Sequence, residues 1–198
     1  RLICLGGLGE IGKNLMLVEC GPDAIAIDCG LAFPEEDMLG IDLVIPDISY
    51  LLERKDRLRG IVLTHGHEDH VGSLPYVLSQ VNVPVYGTRL TLGLARRKLD
   101  ENFEGQADLR VVAPRDIITL GCIKVEFFRV THSVSDSVGL ILHTPAGIIV
   151  HTGDFKLDQT PVDGEITDYY KLAEAGERGV LALLSDSTHA DRPGYTPS

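Results

Sequence analysis

The chain has 198 residues, 44% of them hydrophobic, enough to bury a full core as one domain. Its net charge of −11 excludes a domain that holds nucleic acid by general surface charge, though not an enzyme whose bound cations reverse the local sign. No apolar run approaches the ~18–20 residues of a membrane span, and no charged-then-apolar leader is present, so no membrane association and a cytoplasmic location are expected.

In chain order, Leu2–Leu5 and Leu15–Cys20 read as strands joined by Gly6-Gly7-Leu8-Gly9-Glu10-Ile11-Gly12-Lys13-Asn14. Four glycines in seven positions imply positive φ angles or a close approach to the backbone. The stretch does not open a helix, so a dinucleotide site is rejected. It is either a plain hairpin loop or a loop lining a cleft. Ala24–Ile27 is a buried strand ending in Asp28, which either caps a loop or braces a metal-bound histidine from behind. A loop over 31–47 and a short helix over 48–54 follow. Gly60–Leu63 is a buried strand, and Val71 and Leu74 open a helix.

Val83–Tyr86 is a strand, and Thr88 caps a helix running to about Glu101 with Leu90, Leu94 and Leu99 on or near one face. Its Arg89, Arg96, Arg97 and Lys98 read as a solvated face rather than a phosphate track. Strands are expected at Leu109–Val112, Ile117–Leu120 and Ile123–Val130, then a hairpin of Val138–Leu142 and Gly147–Val150. A helix near Tyr169–Ala175 and a strand at Val180–Leu184 complete the pattern. Cys4, Cys20, Cys29 and Cys122 lack CxxC spacing, so buried free thiols in a reducing compartment are expected rather than a zinc or disulfide set.

The chemistry concentrates in Thr64-His65-Gly66-His67-Glu68-Asp69-His70, directly after an apolar strand. Seven histidines are spread over the whole chain, so three of them within six positions mark a site rather than a polar loop. In extended backbone His65 and His67 point the same way and can face one metal, while Asp69 and His70 turn back to a second. Imidazole with carboxylate suits zinc or manganese. His132, Asp154 and Asp186 each also follow an apolar strand, and strand ends along one edge form a common cleft. His143, beside a turn, is assigned a surface role. His151 precedes Asp154 by three residues and is kept outside the ligand set.

The His-x-His-x-Asp-His pattern resembles the metallo-β-lactamase superfamily. The glycine loop, Gly40-Ile41-Asp42-Leu43-Val44-Ile45-Pro46-Asp47, Thr152-Gly153-Asp154-Phe155-Lys156 and Ser185-Asp186-Ser187-Thr188 are similar to the ribonuclease J branch of the β-CASP nucleases. The resemblance runs over nearly the whole chain. It implies an α/β fold, the αββα sandwich of two mixed sheets with helices outside, incomplete at its C-terminus. Residues 1–198 would be the N-terminal part of the catalytic domain, with the β-CASP and C-terminal domains beyond it.

By the same resemblance His65, His67 and His132 would hold one Zn2+, Asp69 and His70 a second, and Asp154 would bridge, with Mn2+ or Mg2+ as substitutes. Asp69 would also orient the attacking hydroxide, and Asp186 would be an acidic catalytic residue. The implied activity is 5′-to-3′ exonucleolytic and endonucleolytic cleavage of single-stranded RNA, with two metals about 3.5–4 Å apart assisting an in-line displacement. RNA is the implied partner, in a homodimer or homotetramer of the full-length protein. Two departures stand out: His189 replaces the family's usual Asn, and Ser135 its usual Pro. The rival readings are another hydrolase of the superfamily, a lactonase, thioesterase or β-lactamase, and an inactive fragment or interaction module.

Overall fold

The computed structural model describes residues 1–194. The chain folds into two mixed β-sheets packed face to face, with helices on both outer sides. The first sheet contains β1 (Leu2–Gly6), β2 (Leu15–Cys20), β3 (Asp23–Ile27), β4 (Leu58–Val62), β5 (Val85–Gly87) and β6 (Leu109–Val111), in that order. Its first three strands pair antiparallel and the rest parallel. The second sheet runs β11 (Val180–Leu184), β10 (Gly147–His151), β9 (Val138–Thr144), β8 (Ile123–Arg129), β7 (Ile117–Leu120). Its pairings are antiparallel except for the parallel β10–β11 edge.

Strand periodicity builds three apolar layers. β3 is buried at every position because alternate side chains enter different layers. Ala24 and Ala26 face the helices of the first sheet, whereas Ile25 and Ile27 face the second sheet. The consecutive Phe127 and Phe128 of β8 divide in the same way, one between the sheets and the other under the last helix. The helices are α1 (Ser49–Leu52), α2 (Glu68–Val71), α3 (Leu74–Leu78), α4 (Arg89–Asn102) and α5 (Tyr169–Arg178). α1, α3 and α4 supply Leu51, Leu74, Val77 and Leu99 to the first layer, and α5 supplies Leu172 and Ala175 to the third.

Several local expectations change in three dimensions. The helix expected over 48–54 is one turn, Ser49–Leu52, followed by a 3₁₀ turn at Lys55–Arg57. The helix opened by Val71 and Leu74 is two helices, because Pro75 has no N–H to continue an earlier helix and restarts one in its first turn. Thr88 does precede α4, but its hydroxyl bonds Thr91 Oγ1 and the Asp136 carbonyl instead of capping. The buried face of α4 is Leu92, Ala95 and Leu99, while Leu90 and Leu94 lie exposed. Leu94 instead rests over Gly66 in the histidine loop.

Of the cysteines only Cys29 is buried; Cys4 is exposed, Cys20 and Cys122 are half-buried, and all four are free thiols. His143 lies near the end of β9, beside the Pro145-Ala146 turn as expected, but half-buried rather than free on the surface, and its Nε2 pairs with buried Glu126 at 3.0 Å. Lys171 of α5 reaches the same carboxylate at 2.6 Å, tying the helix to the sheet. β11 closes one edge of the second sheet with Leu181 63% and Leu183 62% exposed. Among the described residues no helix is long and apolar enough to cross a membrane.

Candidate metal centre

Each candidate ligand leaves the end of a strand at the same end of the sandwich. His65, His67, Asp69 and His70 follow β4, His132 follows β8 and Asp154 follows β10. The site therefore sits across both sheets, and sheet packing fixes its width. His67 keeps an extended backbone (φ −69°, ψ 153°) directly before α2, which lets it face the same point as His65.

The donor atoms converge as two sets sharing one residue: His65, His67, His132 and Asp154, and Asp69, His70 and Asp154. His65 Nε2 lies 3.1 Å from His67 Nδ1, which lies 3.2 Å from His132 Nε2. Ligand atoms around a tetrahedral cation at 2.0–2.1 Å are separated by about 3.3 Å, so the three nitrogens fit one ion. Asp154 divides its oxygens between the sets. Oδ2 lies 3.9 Å from His65 Nε2 and 3.8 Å from His132 Nε2, while Oδ1 lies 3.3 Å from His70 Nε2. Asp69 Oδ2 completes the second set 3.6 Å from the same nitrogen. His65 and His70 are buried, whereas His67, Asp69, His132 and Asp154 are half-buried, so the centre opens to solvent on one side.

Asp28 braces both sets from behind. Its carboxylate accepts from the Thr64 N–H at 2.8 Å and the Thr64 hydroxyl at 2.9 Å, and lies 2.8 Å from His70 Nδ1. With its proton committed to Asp28, Thr64 Oγ1 accepts from His65 Nδ1 at 3.1 Å and leaves His65 Nε2 free for a cation. Sequence reading anticipated one braced histidine; the second is reached through Thr64, whose hydroxyl gave no signal. Asp28 itself sits at φ 60°, a left-handed position that Asp tolerates.

The electrostatics divide the histidines. Burial, then the neighbouring His70, holds His65 down to about 3, so it is neutral at pH 7 and offers a lone pair. Burial also lowers His132. For His70 burial acts downward too, but the Asp28 and Asp154 carboxylates prevail and raise it to about 10. Burial works against ionising Asp154, yet its hydrogen bond to His70 and the nearby imidazoles bring it down to about 2. A cation held by the second set would have to displace a proton from His70.

The remaining candidates lie outside the two donor sets. Asp186 Oδ1 accepts from the Thr188 N–H at 2.8 Å, and its own N–H donates to Thr152 Oγ1 at 3.1 Å. His151 Nδ1 accepts from the Gly153 N–H at 3.0 Å and so shapes the turn that presents Asp154. His189 is exposed at φ 61°, a left-handed position in which His, like Asn, is enriched. A cavity of about 340 Å³ adjoins the centre, lined in part by His132, Ser133, Ser135, Asp136 and Lys156.

The chain belongs to the metallo-β-lactamase superfamily, whose family model matches residues 8–188. Within it, the chain is similar over its whole length to ribonuclease J proteins. It is 54% identical over 199 residues to ribonuclease J2 of Bacillus subtilis (strain 168), covering 100% of this chain and 36% of that protein. It is 50% identical over 206 residues to ribonuclease J of Thermus thermophilus, covering 100% and 36%. The chain thus spans about a third of the length of the curated relatives it matches. Among solved structures, a protein of unknown function from Enterococcus faecalis V583 superposes with a TM-score of 0.73 at 20% identity, covering 100% of this chain and 52% of that one. The Rm3 metallo-β-lactamase gives 0.55 at 17% identity, covering 89% and 71%. These structural likenesses establish the fold alone.

Proposed function

We propose that this chain is the metal-holding part of a zinc-dependent ribonuclease that cleaves single-stranded RNA, both 5′-to-3′ from an end and internally, in cytoplasmic RNA processing and decay. The observation that carries the reading is the division of Asp154 between two donor sets, in a chain about half identical to ribonuclease J proteins throughout. Two divalent cations held there would supply a nucleophile near neutral pH and offset charge on a scissile phosphate. His65, His67 and His132 form one holding set, Asp69 and His70 the other, and Asp154 the shared wall; Mn2+ or Mg2+ suits the carboxylates less selectively.

The other roles follow from position. Asp69, half-buried on the open side, orients the attacking water. Asp186 keeps an acidic group near His132. The cavity beside His132 gives a nucleotide room next to the reacting phosphate, with Ser133 and Ser135 hydroxyls on its wall. Further domains and a homodimer or homotetramer belong to the protein at the length of its relatives.

The test is time-resolved cleavage of a 5′-monophosphorylated, end-labelled RNA at equal metal loading, by this chain and by the protein at its relatives' length. The longer protein is expected to degrade the RNA, and the 198-residue chain far more slowly. Positioning contributes ~7–11 kcal/mol to well-oriented reactions, and an acidic open cleft supplies little of it. Turnover of a lactone or thioester with RNA untouched would sink the nuclease reading.

A further inference from the structure

The glycine-rich loop seats one side chain against the centre that neither donor set contains. Asn14, at the end of that loop, donates its backbone N–H to the Asp69 carbonyl at 3.0 Å. Its Nδ2 donates to the same carbonyl at 3.0 Å, lies 3.4 Å from Asp69 Oδ2 and 3.1 Å from His70 Nε2. The Gly30 N–H donates to the Asn14 carbonyl at 2.8 Å, locking the other side of the residue.

The surrounding backbone is cleared for this contact. Gly7 stands at φ 81°, and a Cβ there would overlap Asn14 Oδ1. A Cβ on Gly30 would overlap the Asp69 carbonyl and crowd Asn14 N. The amide touches the Oδ2 of Asp69 and the Nε2 of His70, the two atoms that the second donor set does not share with the first. His70 is fixed at Nδ1 by Asp28, and the Asn14 amide packs against the opposite edge of the ring while its hydrogen bonds go to Asp69.

We propose that Asn14 is a positioning residue for the second cation: it fixes the Asp69 backbone and carboxylate beside His70 at a ligating separation, and the glycine loop is shaped to seat it. The inference rests on the metal-dependent reading of the same centre and adds a residue outside its ligands. It predicts a selective defect, because the contacts of Asn14 described above fall on the second set and none falls on His65, His67 or His132.

Zinc titration calorimetry of the full chain, native and Asn14→Ala, reads each equivalent separately. Asn14→Leu serves as a second variant that keeps the side-chain volume and removes the amide. The expected result is a second equivalent weakened about tenfold or more, the usual scale for residues behind a ligand, with the first unchanged. Thermal unfolding of the metal-free proteins controls for folding, and the native and variant midpoints should coincide. Native affinity for both equivalents in both variants overturns the inference. So does equal loss of both equivalents together with a lowered midpoint, which would make Asn14 a structural residue only. Absence of zinc binding by the native chain would overturn the metal-dependent reading itself, an outcome distinct from either.

Discussion

Asp154 and His70 lie 3.3 Å apart but are unequal in consequence, because only Asp154 reaches both donor sets. Asp154→Asn removes a charge shared between the two donor sets and, on the proposed reading, is expected to weaken cation binding at both. His70→Ala should mainly empty the second. Anomalous scattering at the zinc edge gives the two occupancies, and equal loss in His70→Ala would contradict the division. The same residues set a pH window for the metal-free chain. His70, raised from 6.5 to about 10, contributes stability that is fully present below about 6.5 and lost as pH rises through about 10. His65, lowered from 6.5 to about 3, does the reverse: the unfolded chain takes up its proton first, so stability falls as pH drops from 6.5 toward 3. Urea unfolding of the chelator-treated protein should therefore show a maximal midpoint near pH 6.5. A midpoint that keeps climbing from pH 7 to 9 would refute the His70 assignment.

At the scale of elements, α5 is held at its start by one residue. Asp168 precedes the helix, accepts from the Lys171 N–H at 3.4 Å and takes Arg115 at 2.8 Å on its other oxygen. Asp168→Ala should cost about 1 kcal/mol of stability, mostly from the cap since Arg115 is exposed, with zinc content unchanged. A shift in zinc content would mean that α5 and the centre are coupled. Strands were the readily legible elements, because the apolar stretches of β3 and β9 and the apolar-polar alternation that opens β8 are bounded by turn residues. Helix phase was not. Nothing local tells that α4 buries Leu92 rather than Leu90; the histidine loop against Leu94 and the sheet beneath decide it. The strand ends that carry the two donor sets were legible from composition, since clustered His and Asp after apolar runs are rare. Asn14 was not, because its partner lies 55 residues away in sequence.

For the whole molecule, the two sheets act as the two jaws of the centre: one brings His65, His67, Asp69 and His70, the other His132 and Asp154. Phe127, fully buried between the sheets, stands in for that union. Phe127→Ala should cost about 3–5 kcal/mol and release zinc along the same denaturation curve as the fold. Zinc loss at much lower denaturant would show that the jaws separate before the core melts.

The apolar rim of β11 bears on how the chain behaves as a colloid. Leu181 and Leu183 lie exposed on an edge strand, a surface that favours strand-to-strand adhesion, while a net charge of −11 keeps molecules apart. Added salt shortens the reach of that repulsion to about 3 Å at 1 M and leaves the sticky rim intact. Light scattering should therefore report a second virial coefficient that falls from positive toward negative as salt rises. Leu183→Lys should hold it positive over a wider range. An unchanged salt response in that variant would mean that the adhesion starts elsewhere on the surface.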